Sequence, residues 1–388
     1  MDTRILTTDG LQVLVDALHA RGFRVLGPVV RDGAIAFGPV RELADLPVGW
    51  GDEQEAGHYR LHRRDDGLLF GYAVGVQSAK PLFFPAQEVL WRARHEADGV
   101  HPVPADEARD DGPVAVLGVR ACDLAAIGVQ DEVLLARRYG DAAYAMRRAG
   151  TFVVAVTCSH PADTCFCVST GTGPQPGAGS APAAPYDLAM TEVLDDAGHR
   201  FVVEVGSEHG AETLAEVASR GAEVPPATPA DLAAAAGVVT LATSRVGRTL
   251  ETTGLKELLY AAAESPVWDQ VAGRCLACGN CTQVCPTCFC TDVRDVSDLS
   301  GGLVARERVW DSCFGAEYSY IHGGSVRAST RARYRQWLTH KLASWEDQFG
   351  MSGCVGCGRC ITWCPAAIDL TEEVAALRHD GGGRRDEP

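Results

Sequence analysis

The chain has 388 residues, enough for two domains that each bury a core of their own. Hydrophobic residues make up 46% and charged residues 22%, the balance of a globular protein in water, and no stretch approaches the roughly 20 consecutive apolar residues of a bilayer span. With 35 Lys+Arg against 51 Asp+Glu the net charge is -16, which argues against a nucleic-acid reader, because phosphate binding needs a basic face.

The first residues, Met1 to Gly22, read as an amphipathic helix. Acidic residues stand among them and no small-residue cleavage site follows an apolar run, so a signal peptide is not expected and the cytoplasm is. Val25–Val30 and Ala34–Phe37 flank Arg-Asp-Gly and are expected to form a hairpin. Leu68–Val74 follows Asp-Asp-Gly and is expected as a further hairpin strand, with a helix from Ala86 to about His95. The run PVAVLGV is continuous and apolar, as in a strand buried on both faces. It leads through Arg120, Ala121, Cys122 and Asp123 into the helical pattern LAAIGVQDEVLL, and a second buried strand, TFVVAVT, ends at Cys158. Strand, helix and strand in that order predict a parallel pair. Gly171–Pro185 is rich in Gly, Pro and Ala and reads as a loop. A hairpin follows over Tyr186–Val193 and Phe201–Val205, then a helix over Ala211–Ser219, and helices lead from Thr249 into a cysteine-rich region.

That region carries C-x2-C-x2-C-x3-C-P twice, as Cys275, Cys278, Cys281, Cys285, Pro286 and as Cys354, Cys357, Cys360, Cys364, Pro365. Three thiolates at this spacing face three corners of one cubane, and the fourth ligates the other cluster. The expected ligand sets are therefore Cys275, Cys278, Cys281 and Cys364 for one [4Fe–4S] cluster, and Cys354, Cys357, Cys360 and Cys285 for a second. Gly279, Gly356 and Gly358 let backbone N–H groups approach the sulfur. Structural zinc also uses C-x2-C pairs, but not four cysteines in one run closed by proline.

Seven of the 15 cysteines lie outside these tetrads. Cys122 and Cys158 end the two parallel strands, the edge where open α/β sheets present ligands, and Cys165 and Cys167 follow closely. These four are expected to hold a third [4Fe–4S] cluster, with Asp123 or His160 as substitute ligands. The bland alternative is four buried thiols. Cys288, Cys290 and Cys313 are expected to pack around a cluster, and Cys288 is an alternative to Cys285 as fourth ligand. Gly171-Thr172-Gly173 lacks the third glycine and helix of a nucleotide loop, and His322-Gly323-Gly324 reads as a turn. The basic run Arg327, Arg331, Arg333, Arg335 and Lys341, interleaved with Tyr334 and Trp337, is either a solvated helix face with local salt bridges or a docking surface.

The expected fold is an α/β N-terminal domain with a mixed sheet over residues 1–255, followed by a mostly α-helical dicluster ferredoxin domain over 256–388. The sequence resembles the beta subunits of cytoplasmic NAD(P)-linked [NiFe] sulfhydrogenases, and more distantly the electron-transfer subunit of anaerobic sulfite reductases. The resemblance rests on Gly118–Leu135, Cys158–Cys167, Cys275–Cys290, Trp310–Phe314, Tyr320–Leu342 and Gly353–Asp369. It implies an electron relay with no catalytic residue of its own. Its implied partners are a flavin/NAD(P)-binding subunit, an iron–sulfur small subunit and a [NiFe] large subunit, with neither nucleic acid nor membrane. A sulfite-reductase-type relay and a stand-alone flavin or sulfur reductase are the alternatives.

Overall fold

The computed structural model describes residues 2–103, 112–136, 138–177 and 184–383; the expected loop Gly171–Pro185 falls partly outside them. Strand β1 (Thr3–Thr7) runs directly into helix α1 (Thr8–Ala20), capped by the Thr7 hydroxyl, which accepts from Gly10 N. Leu11, Leu14, Val15 and Leu18, at helical spacing, are buried against the sheet. β2 (Arg24–Arg31) and β3 (Ala34–Pro39) form the expected hairpin, turned by Asp32 and Gly33 with φ of 50° and 75°. A second hairpin, β4 (Trp50–Glu55) with β5 (His58–Arg63), is not foreshadowed by any turn signal noted above.

Leu68–Val74 is not a hairpin strand. It runs through the interior outside any ladder, and buried side chains take up its backbone groups. The Glu192 carboxylate accepts from Leu69 N and Phe70 N at 2.7 and 2.9 Å, and Asp52 accepts from Ala73 N at 2.8 Å. The Arg120 guanidinium donates to Phe70 O and Tyr72 O at 2.9 and 2.8 Å. The expected helix at Ala86–His95 is likewise replaced. After the short α2 (Lys80–Phe83), β6 (Gln87–Glu96) pairs antiparallel with β7 (Gly99–Pro102).

The strand–helix–strand prediction is met by β8 (Val114–Arg120), α3 (Ala121–Leu134), the added α4 (Ala142–Ala149) and β9 (Thr151–Val156), with β8 and β9 parallel. β10 (Leu188–Asp195) and β11 (Gly198–Val205) are the expected later hairpin, followed by α5 (Glu208–Ser219) and α6 (Pro229–Ser244). The seven-stranded mixed sheet has the order β1-β11-β10-β9-β8-β2-β3, and β10, β9, β8 and β2 are mutually parallel at its centre. Ala115 and Leu117 of β8 join the core under α1, while Val116 and Val119 join the core under α3. Burial on both faces accounts for the unbroken apolar run.

The C-terminal part begins with α7 (Leu255–Ala261), α8 (Val267–Arg274) and the short α9 (Asn280–Gln283). It then forms β12 (Thr291–Ser297) and β13 (Leu303–Trp310), which extend β6 and β7 into a four-stranded sheet of order β12-β13-β6-β7. The small hairpin β14 (Tyr320–Ile321) and β15 (Gly324–Ser325) turns at His322 and Gly323, as expected. Helices α10 (Thr330–Thr339), α11 (Trp345–Phe349), α12 (Arg359–Thr362) and α13 (Leu370–Gly383) complete the described chain.

Across the β6–β13 seam the buried carboxylate of Glu88 accepts from Arg147 at 2.7 Å and pairs with Arg308. Burial pushes this carboxyl up, but the two guanidiniums outweigh it and hold it below its ordinary value. Glu88→Ala is expected to lower stability by about 1–2 kcal/mol, since it takes the carboxylate from Arg147 and leaves Arg308 with Asp141 alone, read as a shift in the urea midpoint. The wild-type advantage should be full above the ordinary glutamate pKa and fade as pH falls through the lowered folded value.

Candidate metal centres

Cys275 caps α8, and Gly279, with φ of +76°, opens α9, so the chain bends sharply between the thiols of the first motif. A Cβ on Gly279 would lie 2.8 Å from Ser312 Oγ, which accounts for glycine there. Cys275, Cys278, Cys281 and Cys364 line one cavity of about 470 Å³, part of it open to solvent, with Phe314, Trp337 and Ile368 among its apolar walls. The Cys281 thiol is pushed up by burial first, then by Cys275, Cys364 and Cys278. The structure thus brings Cys364, the last cysteine of the second motif, to the first three of the first.

Cys285, from the first motif, lies near the first three thiols of the second. The Cys360 thiol is raised by burial and then by Cys354, Cys357 and Cys285, and burial leads the shift of Cys354 to about 12. Cys285, Cys354 and Cys357 are buried while Cys278 is exposed, so the second group lies deeper than the first.

The four N-terminal thiols converge as expected from the strand ends. Cys122 is the second residue of α3, and Cys158 lies just past β9. Burial raises Cys165, followed by Cys167 and Cys158, and raises Cys122, whose further neighbours include Cys167 and Cys357. Cys165 Sγ also lies 3.8 Å from Cys357 O. The third group therefore adjoins the second. Asp123 and His160, the substitute ligands, have other partners. Asp123 is taken by Arg359. His160 lies 3.0 Å from both Arg64 Nη2 and Ser159 Oγ, and burial, then Arg64, lowers it to about 4.

Direct bonds fasten the N-terminal cysteine loop to the second motif. Phe166 N donates to Gly356 O at 2.8 Å, Thr172 Oγ1 donates to Val355 O at 2.6 Å, and Thr164 Oγ1 lies 2.7 Å from Thr362 Oγ1. Arg359, between Cys357 and Cys360, makes a bidentate pair with Asp123 at 2.7 and 2.9 Å and donates from Nε to Gly75 O at 2.8 Å. The turn at Gly171-Thr172-Gly173 serves this packing.

Two cations of the site escape sequence reasoning. Arg359 is hidden between ligand-type cysteines. Lys341 stands in sequence at the end of a basic run, yet it is buried in a π-helical turn, His340–Ser344, a feature often found at functional sites. Its ammonium donates to Cys285 Sγ at 3.2 Å, Thr287 Oγ1 at 2.9 Å and Gly353 O at 3.2 Å. Elsewhere the basic run forms local bonds: Arg331 pairs with Glu264 and Asp269, Arg335 with Glu264, and Arg333 donates to Phe314 O. Tyr334 and Trp337 are core. Of the remaining cysteines, Cys288 lies beside Cys285, and Cys290 beside Cys313.

Residues 274–368 match a family model described as a 4Fe-4S dicluster domain. The chain is 32% identical over 364 residues to Sulfhydrogenase 2 subunit beta of Pyrococcus furiosus, covering 93% of this chain and 97% of that protein. Among the described residues no helix is long and apolar enough to cross a membrane.

The clamp between the two cysteine loops leaves no room for a side chain at Gly356. Its φ is +61°, and a Cβ would meet Cys167 N and the Phe166 carbonyl at 2.6 Å. Gly350 has a similar φ of +73° with nothing within 4 Å. Gly350→Ala is expected to cost about 1–2 kcal/mol, from the left-handed backbone alone. Gly356→Ala should cost about 3 kcal/mol or more, since overpacking adds to it, and paired urea titrations would read the difference.

Proposed function

Because the chain belongs to the family of sulfhydrogenase beta subunits, we propose that it is the iron–sulfur electron-transfer subunit of a soluble, cytoplasmic [NiFe]-hydrogenase complex. In this reading it relays electrons between a flavin- and NAD(P)-binding subunit on one side and the hydrogenase module on the other, the latter made of an iron–sulfur small subunit with its [NiFe] large subunit. The observation that carries it is the succession of three thiol groups, from exposed Cys278 through the group around Cys354 to the buried group around Cys165. A row of closed sites reaching from the surface inward suits a wire better than a catalytic pocket.

The residues fit the group. Cys275, Cys278, Cys281 and Cys364 would hold one [4Fe–4S] cluster, Cys354, Cys357, Cys360 and Cys285 a second, and Cys122, Cys158, Cys165 and Cys167 a third. Once bound by four thiolates, such a cluster takes up and releases single electrons and offers no open position to a substrate. Cys285 suits the fourth position better than Cys288, because it closes the C-x2-C-x2-C-x3-C-P run. The spacing also argues against zinc. Tetrahedral thiolates around a single zinc stand about 3.8 Å apart, from a Zn–S bond of about 2.3 Å. Among the described residues the one trio of ligand atoms within 4.8 Å is the exposed Glu96, Asp98 and His101, with no cysteine in it.

The chain's own groups exclude water and set the field. Phe314, Trp337, Ile368 and Leu370 wall the first cavity with apolar surface. The Lys341 ammonium and Arg359 guanidinium oppose the negative charge that four thiolates bring and that each added electron increases. Leu276, 68% exposed, lines the same cavity as the exposed Cys278.

Iron and acid-labile sulfide should each come to about 12 per chain for three cubanes, and Cys165→Ser should lower both to about eight. A wild-type value near eight would remove the N-terminal site, and one or two metals without sulfide would return the motif to zinc. Reduction of NAD(P)+, protons or sulfite by the isolated chain would end the relay reading. Lys341→Gln should shift one cluster to a more negative midpoint in a potentiometric EPR titration, with iron content unchanged, because it removes a buried positive charge from the sulfur.

A further inference from the structure

Three cysteines take no part in these groups. Thr291 stands opposite Trp310 where β12 and β13 begin and end their ladder, and Asp311 N donates to Cys290 O at 2.9 Å. The chain ends leaving this ladder carry Cys290 and Cys313, which the pairing sets side by side, each thiol the leading influence on the other. Tyr318 also lies beside Cys290. Both thiols are partly exposed, unlike Cys285, Cys354 and Cys357. Cys288, two residues before Cys290, lies beside Cys285 in turn, so the pair lies one thiol away from the second group.

Two buried lysines serve this corner. Lys341 donates to Cys285, and Lys80 donates to Cys288 O at 3.2 Å while its ammonium lies 3.6 Å from the Trp310 ring centroid. A partly exposed thiol in an electropositive setting is the environment of a reactive cysteine, not a structural one. The Cys290 thiol is lowered to about 6, first by the Cys313 hydrogen bond, against burial, with help from Tyr318 and Lys341. Cys313 is raised, as a donor should be.

We propose that Cys290 and Cys313 are a redox-active dithiol that exchanges two electrons with the adjoining iron–sulfur site. On oxidation Cys313 gives its proton to water, Cys290 being already a thiolate at neutral pH, and an Sγ–Sγ bond forms. The two electrons pass one at a time to the one-electron carrier held by Cys285 and its partners, and reduction reverses each change. The inference rests on the electron-carrier reading and adds to it a place where single electrons are paired.

The test uses the full chain, purified without oxygen and with its iron counted. One portion is poised with a mild one-electron dye, another with dithionite; both are quenched in acid, alkylated and mapped by mass spectrometry. A peptide pair linked through Cys290 and Cys313 should dominate the oxidised portion and vanish from the reduced one. Cys313→Ser should abolish the link and leave iron per chain unchanged. Two alkylated cysteines in the oxidised portion would overturn the proposal, as would loss of about four iron atoms in Cys313→Ser, which would make the pair ligands. Should that variant fail to fold, the wild-type map still decides. Full iron without the linked peptide sinks the dithiol alone, whereas absent iron and sulfide sinks the electron carrier itself.

Discussion

The bidentate pair between Arg359 and Asp123 ties the molecule together. Both side chains are almost wholly buried, and each sits beside a cysteine, Asp123 next to Cys122 and Arg359 between Cys357 and Cys360. Taking two ions out of water costs several kcal/mol each, so such a pair adds little net stability, while breaking one side strands a charge. Its value here is registration. Carbonyls of Gly75 and Gln77 accept two further guanidinium protons, so one side chain fixes three segments that are far apart in sequence.

Charge is distributed against the protein's overall sign. The chain carries a net -16, yet the buried cations Lys80, Arg120, Lys341 and Arg359 all lie among or beside the cysteine groups. Placing them inside is unfavourable unless something negative waits there. Asp123 is that counterweight for Arg359, and thiolates carrying iron and sulfide would supply one for Lys341. The acidic exterior and the cationic interior are therefore two parts of one design, and composition alone reports only the outer one.

Where the sequence was legible, a local rule was at work. The run around Val114–Arg120 read as a strand because both faces are covered, and the repeated cysteine spacing named its own partners. The expectation of a helix from Ala86 to about His95 fails because the ladder partner, Leu303–Trp310, is remote and no window of local periodicity contains it. Leu68–Val74 misled for a different reason: its backbone bonds go to Glu192, Asp52 and Arg120, side chains that no turn signal predicts. Lys341 was visible only as one charge in a basic run, and the π turn that carries it inward has no sequence signature of its own.

The seam between β6 and β13 has a consequence during synthesis. β6 emerges from the ribosome about 200 residues ahead of the strand it pairs with. Until then its open edge, flanked by exposed Leu90 and Trp91, is available to any other nascent chain. That edge stays without its partner for as long as translation of the intervening segment lasts.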